Sequence, residues 1–251
     1  MKKLSFMPVL GVCIMIFCAC QRNFQPQIIS AELTAVIPTE HSRNNEFSKW
    51  ILPYKTTLDK VMGVEIGISA QEMQPGKPES LLGRFVTDVM KDYAKKRGQK
   101  FDFVITNHGG LRGSLPQGEV TIGDVYSMFP FDNELVILTL SGKKVEQLCQ
   151  EIAKRGGEVT DGIKMWIDDS VAKGIRIGNA ETPLDTTGNY KVLTTDYLSF
   201  GNDNLYALAD YIDIFPFKTP LREIIIDYIK NEHKNGRKIN AKMKGEVVLG
   251  Q

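Results

Sequence analysis

The chain has 251 residues, 42% hydrophobic and 24% charged, with a formal net charge of +1. This composition suits one large globular domain or two small ones. The near-neutral balance argues against general nucleic-acid binding, which shows as a strong basic excess, and leaves open a local basic site for a small anion.

The N-terminus reads as an export signal. Lys2 and Lys3 form a positive n-region, and Leu4 to Ala19 an apolar stretch too short to span a membrane. The end of that stretch, "FCAC", resembles a lipobox, with Ala19 before Cys20 as the lipidated residue and Phe17 in place of the usual leucine. Residues 1–19 are thus expected to be a lipoprotein signal peptide and 20–55 a tether and N-terminal extension, with Pro26 and Pro38 in its polar part. This implies an exported chain anchored by lipid to a bacterial cell envelope. Cys13 and Cys18 would leave with the signal, so only Cys149 remains in the mature domain and no intrachain disulfide staples it.

The remainder, 56–251, reads as one domain. "VEIGIS" alternates as a short strand. Ser80 caps a helix on which Leu81, Leu82, Phe85, Val86, Val89, Met90 and Tyr93 recur at helical spacing, ending in Lys95, Lys96 and Arg97 before Gly98. Arg84 within it reads as solvated. "FDFVIT" is a buried strand. In "TIGDVYSMF", Thr121 and Asp124 form an acidic variant of the capping box. "ELVILTLS" is a second apolar strand, and Ser141 starts a helix with Val145, Leu148, Cys149 and Ile152 on one face. Strands follow at "GIKMWID", "GIRIG" and "YKVLTTDYL", then a helix "LREIIIDYIKNEHK" and a strand "GEVVLG". Strands and helices without strict alternation imply an α/β or α+β fold, a mixed β-sheet flanked by helices.

Three loops concentrate polar, glycine and aromatic residues. In "TNHGGLRGS", Asn107 is followed by Gly109 and Gly110, which allow positive φ and close approach of a ligand, and by Arg112, a planar donor fork for phosphate or carboxylate. In "FPFDNE", Phe131 offers a stacking face and Asn133 an amide to read a base edge. In "TDYLSFGNDNLYAL", Tyr197 and Gly201 precede Asp203, whose carboxylate can accept two vicinal hydroxyls. Singly, each is equally explained as a turn or as core.

Together they carry a resemblance. The N-x-GG-x-R, G-x-(I/V)-T, P-F-x-N and L-x-G elements, with "DYLSFGNDNLY", resemble the C-terminal domain of the 5′-nucleotidase family over roughly 60–250. The resemblance implies a nucleoside-binding domain. Phe131 and Tyr197 would stack on the base, with tyrosine in place of the usual phenylalanine. Asn133 would contact the base, Asp203 the ribose and Arg112 the phosphates. Asn202 and Asn204 stand where the family has glycines, and only Lys77 and Arg84 where it has further arginines.

The family's hydrolysis belongs to a separate dimetal domain rich in Asp and His. With His41, His108 and His233 alone, no such site can be assembled from this chain. His108 reads as a loop residue lining or bordering the pocket. No cofactor or metal is expected here; divalent metals are expected only in a partner metallophosphoesterase chain. Three readings remain open: a recognition domain acting with that partner in nucleotide catabolism, a non-catalytic nucleoside-binding lipoprotein, and a structural lipoprotein without a pocket.

Overall fold

A computed structural model of the protein describes residues 46–178 and 182–250. The signal peptide, Cys20 and the greater part of the tether lie outside the described residues. The chain divides into two units between Trp50 and Ile51. Of the first, only the opening turn of helix α1 (Glu46–Met62) is described, where the Phe47 and Trp50 rings lie 6.3 Å apart. No helix among the described residues is long and apolar enough to cross a membrane.

The second unit, beginning within α1, contains a five-stranded sheet and two smaller ones. After α1, which buries no side chain, come β1 (Glu65–Ser69), α2 (Leu81–Lys96), β2 (Phe103–Thr106), β3 (Gly118–Thr121), α3 (Ile122–Met128), β4 (Glu134–Ser141) and α4 (Gly142–Lys154). Then follow β5 (Val159–Asp161), β6 (Ile163–Asp168), β7 (Val171–Ile177), β8 (Thr182–Pro183), β9 (Asn189–Thr195), α5 (Asp196–Ser199), β10 (Asp213–Pro220), α6 (Leu221–Lys234) and β11 (Val247–Leu249). The main sheet runs β10-β4-β9-β2-β5; β6, β7 and β8 form a second sheet with β11, and β1 pairs with β3. The expected mixed sheet flanked by helices is what the chain forms.

The alternation of side chains along a strand splits the core in two. Leu135 and Ile137 of β4, Val104 of β2 and Leu193 of β9 face one cluster, closed by α2, α3 and α6 through residues such as Phe85, Met128 and Ile225. Val136, Leu138, Phe103, Ile105 and Val192 face the other, closed by Leu148, Cys149 and Ile152 of α4 and by Met165 and Ile167 of β6. Each fully buried aliphatic side chain contributes about 1.5–3 kcal/mol.

The helix starts follow the sequence. Ser80 Oγ accepts from the Gly83 N–H at 3.0 Å. The Thr121 and Asp124 side chains each accept the other's backbone N–H, closing the capping box. Arg84 corrects the reading: it is not solvated but 7% exposed, because its guanidinium turns inward to pair with Asp161 of β5. Lys91, Lys244 and Glu246 join that ion-pair network, which needs several partners to offset desolvation of the buried charges. Nearby, the Glu79 carboxylate accepts the N–H groups of Gly245, Glu246 and Val247 at 3.0, 2.6 and 2.7 Å, seating the segment that leads into β11.

Several elements were not read from the sequence, β3 and β8 among them. Helix α1 occupies a stretch assigned in part to the tether, β10 carries Pro216 and Pro220, and β5 is three residues long. The strand read as "YKVLTTDYL" ends at Thr195, where the chain turns into α5.

Candidate functional site

The sheet itself brings the three loops together. β2 runs parallel to β9 and β4 antiparallel to it. The C-terminal ends of β2 and β9 and the N-terminal start of β4 therefore lie at one end of the sheet, in adjacent strands. Buried polar side-chain atoms without a hydrogen-bond partner among the described residues gather there: Thr106, Thr194 and Thr195 Oγ1, Asn107 Oδ1 and His108 Nδ1. Such groups each cost on the order of 1–3 kcal/mol, so this end is assembled against local stability.

The first loop leaves β2 through Asn107, 5% exposed, and a short 3-10 turn, His108–Gly110. Its glycines work differently from expectation. Neither Gly109 nor Gly110 has positive φ; what matters is the missing side chain. A Cβ on Gly110 would stand 2.9 Å from Asn107 Oδ1, and one on Gly109 3.4 Å from Asp203 Oδ2. The loop is pinned from below by Glu158, 1% exposed, whose carboxylate accepts the His108 N–H at 2.5 Å and the Arg155 Nε–H at 2.5 Å. Arg112 is anchored by its backbone N–H to Met128 O at 2.8 Å, and its side chain is exposed.

The second loop packs the Phe131 ring edge-on to buried Phe129, centroids 6.1 Å apart, with the Arg112 guanidinium 5.5 Å from the Phe131 centroid. Arg222 of α6 holds its backbone by donating to Phe131 O at 3.2 Å, and pairs with Asp132. The third loop is tied to the second by Asp196, whose Oδ1 accepts the N–H groups of both Glu134 and Tyr197, at 2.9 and 2.7 Å. Gly201, Asp203 and Asn204 all take positive φ, at 76°, 57° and 59°. Asn204 adopts it because asparagine tolerates this region.

That turn aims Asp203 at the first loop. Asn107 Nδ2 donates to Asp203 Oδ2 at 2.6 Å and the Tyr197 hydroxyl to Oδ1 at 3.2 Å. Tyr197 ionises above the usual tyrosine range, first because of partial burial and then because of the Asp203 charge and hydrogen bond. Asn107, Gly109, Arg112, Phe131, Asn133, Tyr197 and Asp203 line one cavity of about 150 Å³. Gly110 and Gly201 are buried and give the turns their shape. His108 is absent from the lining: the Glu158 contact holds its backbone beside the cavity. Asp196, Arg222 and Glu158 hold the site from behind and carried no sequence signal, since each acts on a segment distant in the chain, and Arg155 acts only through Glu158.

The cavity thus presents a cation, two aromatic rings, two amides and a carboxylate, an array suited to binding a polar planar ligand with an anionic group. Among the described residues no group of three His, Cys, Asp or Glu could hold a metal ion.

Fold and cavity together define a mixed α/β domain with a polar, aromatic-lined cavity at one end of its main sheet. The family described as "5′-nucleotidase, C-terminal domain" matches residues 60–210, and the chain belongs to it. It is 30% identical over 185 residues to the cell wall protein Lmo0130 of Listeria monocytogenes, the match covering 68% of this chain and 24% of that one. It is 25% identical to the trifunctional nucleotide phosphoesterase YfkN of Bacillus subtilis, covering 85% and 16%. The chain therefore spans a quarter or less of these curated relatives. The fold matches the 5′-nucleotidase precursor of Thermus thermophilus with a TM-score of 0.70 at 23% identity, over 82% of this chain and 43% of the other.

Proposed function

We propose that this chain is a nucleoside- or nucleotide-recognition domain, exported and anchored by lipid at Cys20, that serves nucleotide hydrolysis by working with a separate metallophosphoesterase chain. The observation that carries the reading is the convergence of seven residues from three distant loops on one cavity. A base fits beside Phe131 and Tyr197 with its edge toward Asn133, a ribose lies over Asp203, and phosphates extend toward Arg112. The names of relatives, a phosphoesterase of nucleotides and a cell wall protein, support nucleotide chemistry and export.

Calorimetry with adenosine, AMP and UDP-glucose tests recognition: heat of binding with at least one is expected, and none with any would leave only a structural role. The purified chain is expected to release no phosphate from AMP with any divalent metal, and robust hydrolysis by it alone would overturn the partner. Replacing Cys20 with serine should abolish lipid labelling; persistent labelling would refute the anchor.

A further inference from the structure

Both oxygens of Asp203 already carry a donor in the ligand-free cavity, and the two donors are not equivalent. Asn107 is buried, and its amide nitrogen sits 2.6 Å from Oδ2, beside Gly110, where a Cβ would stand 2.9 Å from its Oδ1. Tyr197 is 36% exposed, on the four-residue helix α5, and its hydroxyl meets Oδ1 at 3.2 Å, long for an O–H···O bond. The tyrosine contact is thus the replaceable one. A phenylalanine, which the resemblance places here, would leave Oδ1 to be satisfied by the ligand alone.

We propose that the Tyr197 hydroxyl substitutes for one ligand hydroxyl at Asp203, so that the site accepts deoxyribonucleosides as well as ribonucleosides. The inference rests on the nucleoside reading above. When a ligand brings two adjacent hydroxyls, one displaces or shares the tyrosine contact. When it brings only one, the tyrosine stays in place and Oδ1 is not left without a donor beneath the bound ligand. That orphaned state is what makes a site built for a hydroxyl reject an analogue lacking it. The unliganded state cancels from the ratio of two affinities, so this ratio reads the substitution directly.

The experiment is calorimetry of the wild-type chain and Tyr197→Phe with adenosine, 2′-deoxyadenosine and 3′-deoxyadenosine. The wild type should bind adenosine and at least one deoxy analogue within about threefold of each other. In Tyr197→Phe that analogue should fall by roughly tenfold relative to adenosine, the loss expected of one hydrogen bond to a charged group. Unchanged ratios for both analogues, or ratios that move toward them, overturn the inference while leaving nucleoside recognition standing. A wild-type chain that binds none of the three nucleosides sinks both. A ligand-free measurement stands apart from binding: the Tyr197 phenol, followed by NMR, should titrate above ordinary tyrosines and move down in Asp203→Asn. A titration indifferent to that replacement would show that the contact does not exist.

Discussion

Phe131 is held by its backbone and by an edge-on contact, so its outer face stays available. Arg222 donates to its carbonyl, Phe129 abuts the ring, and the partly buried ring lines the cavity. Phe131→Ala, and separately Tyr197→Ala, should weaken adenosine binding by about 1–3 kcal/mol, the range for a base stacked on an aromatic ring. Calorimetry with retained far-ultraviolet dichroism checks this, and unchanged affinity in both variants would misassign the rings. Cys149 makes the opposite case, a residue with reactive chemistry and no access. Burial pushes its thiol up to about 12, so at pH 8 it is protonated as well as covered. Ellman's reagent should leave Cys149 untouched in the native chain and label it only after unfolding; rapid native labelling of Cys149 would contradict its place on the buried face of α4. Tyr197 also has a pH consequence. Its raised pKa favours the protonated phenol in the folded state, so that stabilisation is complete below the ordinary tyrosine range and is lost as pH rises through the folded value.

Among the elements, α2 illustrates both what the sequence shows and what it hides. Its apolar spacing, its Ser80 cap and its basic last turn are local properties, readable because they repeat every few residues. Arg84 is on that same helix, yet its fate depends on Asp161, a partner seventy-odd positions away. The same contrast runs through the site. The lining residues Asn107, Arg112, Phe131, Asn133, Tyr197 and Asp203 stood out because glycine, aromatic and amide residues crowd into short loops. Asp196 and Glu158 did not, because their hydrogen bonds reach across 62 and 50 positions. Strand β10 was hidden by Pro216 and Pro220, which break the alternation, and is tolerated at the sheet's edge beside β4. Arg84→Ala should destabilise the domain by roughly 3–5 kcal/mol, since it strips a buried carboxylate of its closest partner. Urea denaturation measures it. A loss below 1 kcal/mol would mean that Lys91 and Lys244 satisfy Asp161 on their own.

At the scale of the molecule, two apolar clusters lie against opposite faces of one sheet, and the strands between them are shielded on both sides. Amide exchange should therefore be slowest in Leu135–Leu140 of β4 and in Val192–Thr195 of β9, and fastest in α1, which buries nothing. Mass spectrometry of exchanged peptides would show it; uniform protection across α1 and β4 would rule out this layering. The loops of the cavity should fall between these limits, because their backbones are fastened by a few side chains and not by ladder hydrogen bonds.

The three amides gathered by Glu79 have a consequence in time. β6 pairs with β11, which follows it by roughly eighty positions in the chain, and the sheet edge stays open until β11 arrives. Met165 and Ile167 face an unfinished layer until residues 245–249 appear and Glu79 receives them. A nascent chain arrested before that point would expose an unpaired strand to proteases and chaperones. The second sheet is thus closed late in the chain, where the β6 ladder and the Glu79 carboxylate together receive β11.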